Sequence, residues 1–475
     1  MATGALISGA RAYTSAVRHM PYSQSAFARA IADTSRFRYS AFGAATLIRE
    51  IVGETAGTYD ACNGFNAPCI SLTSWSEFKA EYDREISFRV DWKEEMNNIL
   101  NGMTLTSTEK MKASWRMLGA EIDAVSCAKI FNKTPSGNKH ANTEDGYKVD
   151  ADNIIATLIS MDNRLFNEGV NGDVAVMLST KAYANLSNAI KNANGLASGV
   201  MLSPVKRKVD FWFEGEATPA EEEGLHFIYN IFKFQSRMYI YPVPDRSMIS
   251  DVVLLDKKSA GQTAGGWIPD ADAKAVDMLV VPMAAAALSV RHIVSSMTIP
   301  LNAYRVDTFD VNKELVGLNN MYGGQVYVEN IGIDQSGDMY KYMNRIMYGV
   351  AVFKTWAHTI FAVYNETALT PSITSVTVDP ATIDSHGGGV TVAVAGSDMP
   401  NVVAGLFTSD GNSGSPTYTP VGDPVMLNGS KSNQYGIIGI PANVTAADIS
   451  YFVRVSTDGG KTWDTKNAAV KSLKG

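Results

Sequence analysis

"TSTEKMKASWRMLGAEIDAVSCAKIF", residues 106 to 131, is the strongest helical stretch in the sequence. Thr106 and Glu109 have capping-box spacing, in which side-chain oxygens take up the first free N–H groups of a helix. Apolar side chains then recur at Met111, Trp115, Leu118, Ile122 and Val125. These intervals keep them on one helical face. At 1.5 Å per residue, a helix over 107–131 is a strut about 37 Å long. Its stripe reads as core, with Cys127 beside it.

Working outward from the strut, a polar loop over 132–148 leads to a second amphipathic helix. Asp150 or Asp152 caps it, Ile154, Ile155, Leu158, Met161 and Leu165 form its apolar face, and Gly169 sits where a C-cap belongs. "NGDVAVMLSTKAYANL" (171–186) follows: a buried strand over Asp173–Leu178, then a helix over Lys181–Ala189. A strand running into a helix N-terminus can hold a phosphate or a nucleophile. Here no glycine-rich approach exists and no acid or histidine flanks Ser179, so Ser179 reads as the helix cap. Strand segments follow in "HFIYNIF" (226–232), "SRMYIYPVP" (236–244), "SDVVLLD" (250–256), "QVYVENIGID" (325–334) and "YGVAVFKTWAHTIFAVY" (348–364). Residues 51–369 are therefore mixed α+β without regular βαβ alternation.

Upstream, residues 51–105 are turn-punctuated, with "CNGFNAPC" (62–69) and then alternation in "EISFRVDW" (85–92). They predict a protruding hairpin or extended loop. Residues 1–49 carry Arg11, Arg18, Arg29, Arg36, Arg38 and Arg49 against one acid, Asp33. Their apolar residues, such as Val17, Phe27 and Ile31, are too sparse for a core. This arm is either a solvated segment or one that lies on something acidic, a neighbouring subunit or a polyanion.

At Thr370 the composition changes. Residues 370–475 contain no glutamate and 14 glycines, with short alternating strands between turns. That is the pattern of an immunoglobulin-like sandwich, joined through a linker at "ETALTPS" (366–372).

Composition limits the functional classes. A chain of 475 residues is expected to hold two to four units. The net charge of −7 argues against a dedicated nucleic-acid binder. Three cysteines, Cys62, Cys69 and Cys127, suit a reducing cytoplasm and form no disulfide or zinc framework. The N-terminal stretch does not read as a signal peptide. "MLVVPMAAAALSV" (278–290) is too short to span a bilayer.

Chemistry is sparse. "GGKT" (459–462) lacks the earlier glycine of a phosphate loop, having Val455 there, and reads as a hairpin turn. Asp270 and Asp272 have calcium-loop spacing, but Lys274 stands where a third oxygen belongs. The six histidines are scattered singly. No catalytic residue, metal ligand or cofactor is assigned, and the chain is not expected to be an enzyme. Trp463 and Tyr451 stand either in a glycan-binding face or in ordinary packing, the second being favoured.

The order of elements resembles the major capsid protein of tailed bacteriophages, the Hong-Kong-97-type coat fold. "WRMLGAEIDAVSCAKIF" (115–131) looks like its spine helix, and residues 152–186 like the helix–strand–helix after it. "FKFQSRMYIYPVP" (232–244) and "YGVAVFKTWAHTIFAVY" are similar to its later strands. The resemblance implies an N-terminal arm (1–49), an extended loop (50–105) and a coat core with spine helix, peripheral and axial domains (106–369). An immunoglobulin-like domain (370–475) would lie on the outer surface. It further implies pentamers and hexamers forming an icosahedral shell around packaged double-stranded DNA, bound without sequence specificity, in a virion assembled in the host cytoplasm. A separate scaffold protein, a portal, other capsid proteins and external glycans are the implied partners, with no membrane. Arg11, Arg18, Arg29, Arg36 and Arg38 would contact neighbours or DNA. The alternatives are a phage or cell-surface adhesion protein using the sandwich for recognition, and an enzyme with a carbohydrate-binding appendage.

Overall fold

The computed structural model describes residues 25–31, 45–51, 73–79, 81–91, 106–192, 203–204, 232–234, 237–255, 265–292, 303–310, 323–334, 337–411 and 416–474. They fall in two compact units. One holds the described parts of Asp83–Leu118 and Arg291–Met347, the other those of Ser25–Tyr82, Gly119–Val290 and Tyr348–Gly475. In the first unit, strand Ala303–Asp310 pairs antiparallel with Gly323–Asp334. Gly323–Asp334 in turn pairs antiparallel with Gly337–Val352.

The second unit is built on a seven-stranded mixed sheet. Its order is Lys139–Ala141, Phe361–Ala368, Lys274–Pro282, Val174–Ser179, Met238–Val243, Phe232–Phe234, Ser203–Pro204. Val174–Ser179 runs parallel to Met238–Val243 and antiparallel to Lys274–Pro282. All six residues of Val174–Ser179 are buried. Burial on both faces is why "VAVML" reads as a continuous apolar run and not as an alternation.

Four helices are described in chain order: α1 (Ala26–Ile31), α2 (Thr106–Lys133), α3 (Ile154–Asn167) and α4 (Thr180–Asn192). α3 and α4 cover one face of the sheet. Ile154, Leu158, Met161 and Leu165 pack with Leu186, Val176, Ile240, Val280 and Phe361 in one core. Each such side chain contributes about 1.5–3 kcal/mol. α3 ends at Gly169 (φ 80°), where the amide of Val170 bonds back to Leu165 at 2.9 Å and that of Gly169 to Phe166 at 3.0 Å. This is the Schellman arrangement, which needs a left-handed residue. At its start Asp150 Oδ1 accepts from the amides of Asp152 and Asn153, one turn ahead of Ile154. Ser179 Oγ accepts the amide of Ala182 at 3.2 Å, so it caps α4.

α2 is 28 residues long, about 42 Å at 1.5 Å per residue. It differs from the single stripe expected. Every residue from Leu118 to Ala128 is buried, so this part is enclosed on all sides. The small residues Gly119, Ala120, Ala124, Ser126 and Ala128 allow neighbours to approach from every direction. The Thr106–Glu109 side chains lie outside the described set.

Two observations concern the N-terminal segments. Within residues 1–49, read as too sparsely apolar for a core of their own, Ser25, Ala26, Phe27, Ala30 and Ile31 are buried, with α1 against Val174–Ser179 and Met238–Val243 of the sheet. The boundary drawn at residue 49 also cuts through a strand, because Ala45–Ile51 pairs antiparallel with Thr73–Lys79. The inner face of this ribbon seats Ile48 and Phe78 on Ala287, Ala351, Phe353 and Trp356. Glu50 adds an anchor, its carboxylate accepting the amide of Thr355 at 2.7 Å. "CNGFNAPC" lies outside the described residues.

The C-terminal segment forms a β-sandwich. One sheet has the order Ser372–Asp379, Gly388–Ser397, Asn433–Ile440, Asn428–Gly429; the other is centred on Val403–Ser409 and Ile449–Ser456. Val390, Val392, Val394, Leu406, Ile438, Val453 and Val455 meet between them. Of the linker expected over 366–372, residues 366–368 belong to strand Phe361–Ala368 of the seven-stranded sheet. Leu369 is packed beside Trp267 and Ala273, and its amide bonds to the Ala273 carbonyl at 2.8 Å. The junction is built, not loose.

Candidate functional site

A buried polar construction in the second unit surrounds the loop that leaves strand Met238–Val243. Residues 246–250 of this loop are buried. On the α2 side, Ser247 Oγ donates to the Ala120 carbonyl at 3.3 Å and the Cys127 thiol donates to Met248 Sδ at 3.9 Å. Asp245 accepts the amide of Lys181 at 3.2 Å, adding a carboxylate at the α4 N-terminus, where it is electrostatically favoured. On the sandwich side, Arg246 donates to Asn428 Oδ1, and Asn401 Nδ2 donates to the Trp267 carbonyl at 2.9 Å.

Asp123, fully buried on α2, holds α1. It accepts from Ser25 Oγ at 2.6 Å and from the amides of Ala26 at 3.1 Å and Phe27 at 3.0 Å. Burial pushes its carboxyl up to about 6, against the pull of these three donors and of the Arg246 charge. Nearby, burial lowers Lys431, opposed by Asp245, Asp398 and Asp277. Burial raises Asp277, opposed chiefly by the hydrogen bond from Asn142.

This arrangement holds elements together and presents no reacting pair. Burial pushes the Cys127 thiol up to about 12, far from the thiolate a nucleophile requires. Among the described residues, no three His, Cys, Asp or Glu side chains converge as metal ligands. His140 stacks on Tyr147 at 3.5 Å, with Nδ1 facing Glu144 and Nε2 facing Arg164. His358 and His386 lie 3.7 Å from Glu168 and Asp384 at exposed positions. Asp270 and Asp272 face a hollow of about 280 Å³ with Asp251, Lys139 and Lys274. Lys274 lies over the Tyr364 ring at 5.2 Å, not in an oxygen cage.

Of the arginines read as arm contacts, Arg11, Arg18, Arg36 and Arg38 lie outside the described residues. Arg29 falls within α1, with its side chain outside the described set. Sequence reasoning missed Arg246 and Asn428, which lie 182 residues apart and carry no local signal. Asp123 did leave a trace: with Glu121 it is one of two acids inside "GAEIDAVSCA", a run whose other side chains are small or apolar.

The "GGKT" turn is structural. Gly459 and Gly460 both take positive φ, 78° and 89°. Asp458 accepts the amide of Thr462 at 2.9 Å and its hydroxyl at 2.6 Å. The loop lays Trp463 against Phe407, 4.9 Å between centroids, over Gly405, where a Cβ would meet the indole at 2.6 Å. Tyr451 is in the sandwich core. Both aromatics thus serve packing. Asp458→Ala should cost the sandwich about 1–3 kcal/mol, read as a lower midpoint in urea unfolding followed by Trp463 fluorescence.

No protein-family model matches the chain, and no curated protein does. Solved structures similar over most of its length include phage capsids. They include the cyanophage A-1(L) capsid asymmetric unit (TM-score 0.41, 10% identity, 74% of this chain and 96% of that one). The Ralstonia phage GP4 capsid gives TM-score 0.40 at 9% identity, covering 78% and 99%. The mature capsid of bacteriophage PhiM1 gives 0.38 at 12% identity, covering 75% and 91%. The likeness is one of loose general arrangement.

Proposed function

We propose that the chain is a tailed-phage coat subunit of the Hong-Kong-97 type, assembling as pentamers and hexamers around double-stranded DNA. The observation that carries the reading is the order of elements. An antiparallel ribbon precedes the long helix α2, and a helix–strand–helix follows on a mixed sheet. The chain later returns to that sheet through Phe361–Ala368 before the terminal sandwich. The ribbon supports it further: Leu47 and Trp75 are diagonal neighbours on its outer face, 64% and 53% exposed. Large apolar side chains grouped in this way suit a surface that another subunit covers.

The sandwich is proposed as an immunoglobulin-like outer module. Its Ser372–Asp379, Gly388–Ser397 and Asn433–Ile440 sheet turns outward a face with Thr377, Thr391, Tyr435 and Ile437, of which Ile437 is 59% exposed. Glycans are the proposed ligands of this face, and it favours the adhesion reading as the second choice. A scaffold protein and a portal are the proposed assembly partners, and the arm arginines the proposed contacts to neighbours or DNA.

Electron microscopy of the purified chain, alone and co-expressed with candidate scaffolds, is the test. Closed shells or ring-shaped capsomers are expected. A stable monomer under all these conditions overturns the coat reading, and glycan binding by that monomer would leave the adhesion reading standing.

A further inference from the structure

We infer that Arg246 couples the C-terminal sandwich to helix α1, so that the seating of one governs the hold on the other. Asn428 belongs to the two-residue sandwich strand Asn428–Gly429, and its side-chain carbonyl accepts from the Arg246 guanidinium. The loop that carries Arg246 is seated on α2 by the bond from Ser247 Oγ to the Ala120 carbonyl at 3.3 Å, about one helical turn before Asp123. Asp123, toward which the Arg246 charge is attractive, takes up Ser25 Oγ and the first amides of α1. Arg246, Asn428 and Asp123 are all buried. Away from water, a charge is felt strongly by its neighbours, and an ion's position matters more than it does at a surface. Asn428 helps to fix where that charge sits. Through it, a residue of the sandwich acts on a segment about 400 residues earlier in the chain.

The coupling is a property of the folded chain and does not depend on shell assembly. Amide hydrogen exchange on the full-length protein tests it. Asn428→Ala is expected to raise exchange at Ala26–Ile31 about five- to tenfold, within the range of ordinary site-to-site coupling. Asn401→Ala serves as the control, because it removes a different sandwich-to-core bond, the one to the Trp267 carbonyl. It should leave those amides within about twofold of wild type. Unchanged exchange in Asn428→Ala overturns the inference. So does an equal rise in both variants, which would mean general loosening. Asn428→Ser, too short to reach Arg246, is read the same way if the alanine variant does not fold. A double-mutant cycle between Ser25→Ala and Asn428→Ala should be non-additive, and additive losses would also overturn it.

Discussion

Asp123→Ala is expected to destabilise the second unit by about 3–5 kcal/mol at pH 5, through the donors it strands in a buried place, and by less at pH 7.5. Alanine leaves Ser25 Oγ and the amides of Ala26 and Phe27 without their acceptor in a buried place. Each buried, unpaired donor costs about 1–3 kcal/mol, though such costs do not add simply. The pH dependence follows from the sign of the shift. The Asp123 carboxyl is raised in the fold from 3.8 to about 6, so between those values the native state holds its proton more tightly than the unfolded chain does. Stability from this group is therefore fully present below about pH 4 and is lost as pH rises to about 6, flattening beyond. A shift of about two units corresponds to about 3 kcal/mol. Alanine removes that dependence along with the contacts, which is why its penalty shrinks at higher pH. Urea unfolding at several pH values, with wild type, Asp123→Ala and Asp123→Asn side by side, reads both effects. Asp123→Asn should lose the wild-type slope between pH 4 and 6. A slope preserved in Asp123→Asn would assign the titration to another group.

What could be read from the sequence was what local chemistry determines. The period of apolar residues from Ile154 to Leu165 placed α3, and Gly169 ended it where a left-handed turn requires glycine. Ser179 is a cap because the amide that needs it is only three residues away. The all-round burial of α2 escaped, because a stripe of larger apolar residues at helical spacing masks small residues that are equally buried. The polar bolts escaped for another reason. Asp123 to Ser25 spans 98 positions, Arg246 to Asn428 spans 182, and neither partner betrays the other. The arm shows the cost of this. An arginine-rich, weakly apolar stretch looks unanchored until a distant carboxylate is seen to hold Ser25, Ala26 and Phe27.

The junction between core and sandwich bears on the proposed role. A module on a flexible tether could turn independently of the shell. Here Leu369 is packed, Asn401 and Arg246 bond across, and Gly266, which a Cβ would bring to 2.7 Å from Met426 Cε, lets the sandwich sit close. Among the described residues, the sandwich meets the core through 401, 426–428 and the 459 turn. Val444, in the turn between strands Asn433–Ile440 and Ile449–Ser456, is 92% exposed. A subunit built this way would present its outer module at a fixed angle from every copy, which suits a repeating surface better than a mobile lure.

Arg237→Ala should cost about 3–5 kcal/mol by unpinning α3 from the sheet. Arg237 stands just ahead of strand Met238–Val243. Its Nε donates to Asp162 Oδ1 at 2.7 Å, one terminal nitrogen to the Asp162 carbonyl at 2.8 Å and the other to the Val170 carbonyl. Both side chains are mostly buried, 14% and 13% exposed, so screening by water is weak and the geometry is shared between a charge pair and two backbone acceptors. Removing the arginine leaves the Asp162 carboxylate without its counter-charge and takes one donor from each of the two carbonyls. Arg237→Lys should recover only part of the loss, because an ammonium cannot reach three acceptors in one plane. The double variant Arg237→Ala with Asp162→Ala should be more stable than the sum of the single losses predicts, since the stranded carboxylate is then absent. Denaturant midpoints of the four proteins decide the matter. Strict additivity would show that the pair contributes no coupling and that Arg237 acts through its backbone contacts alone.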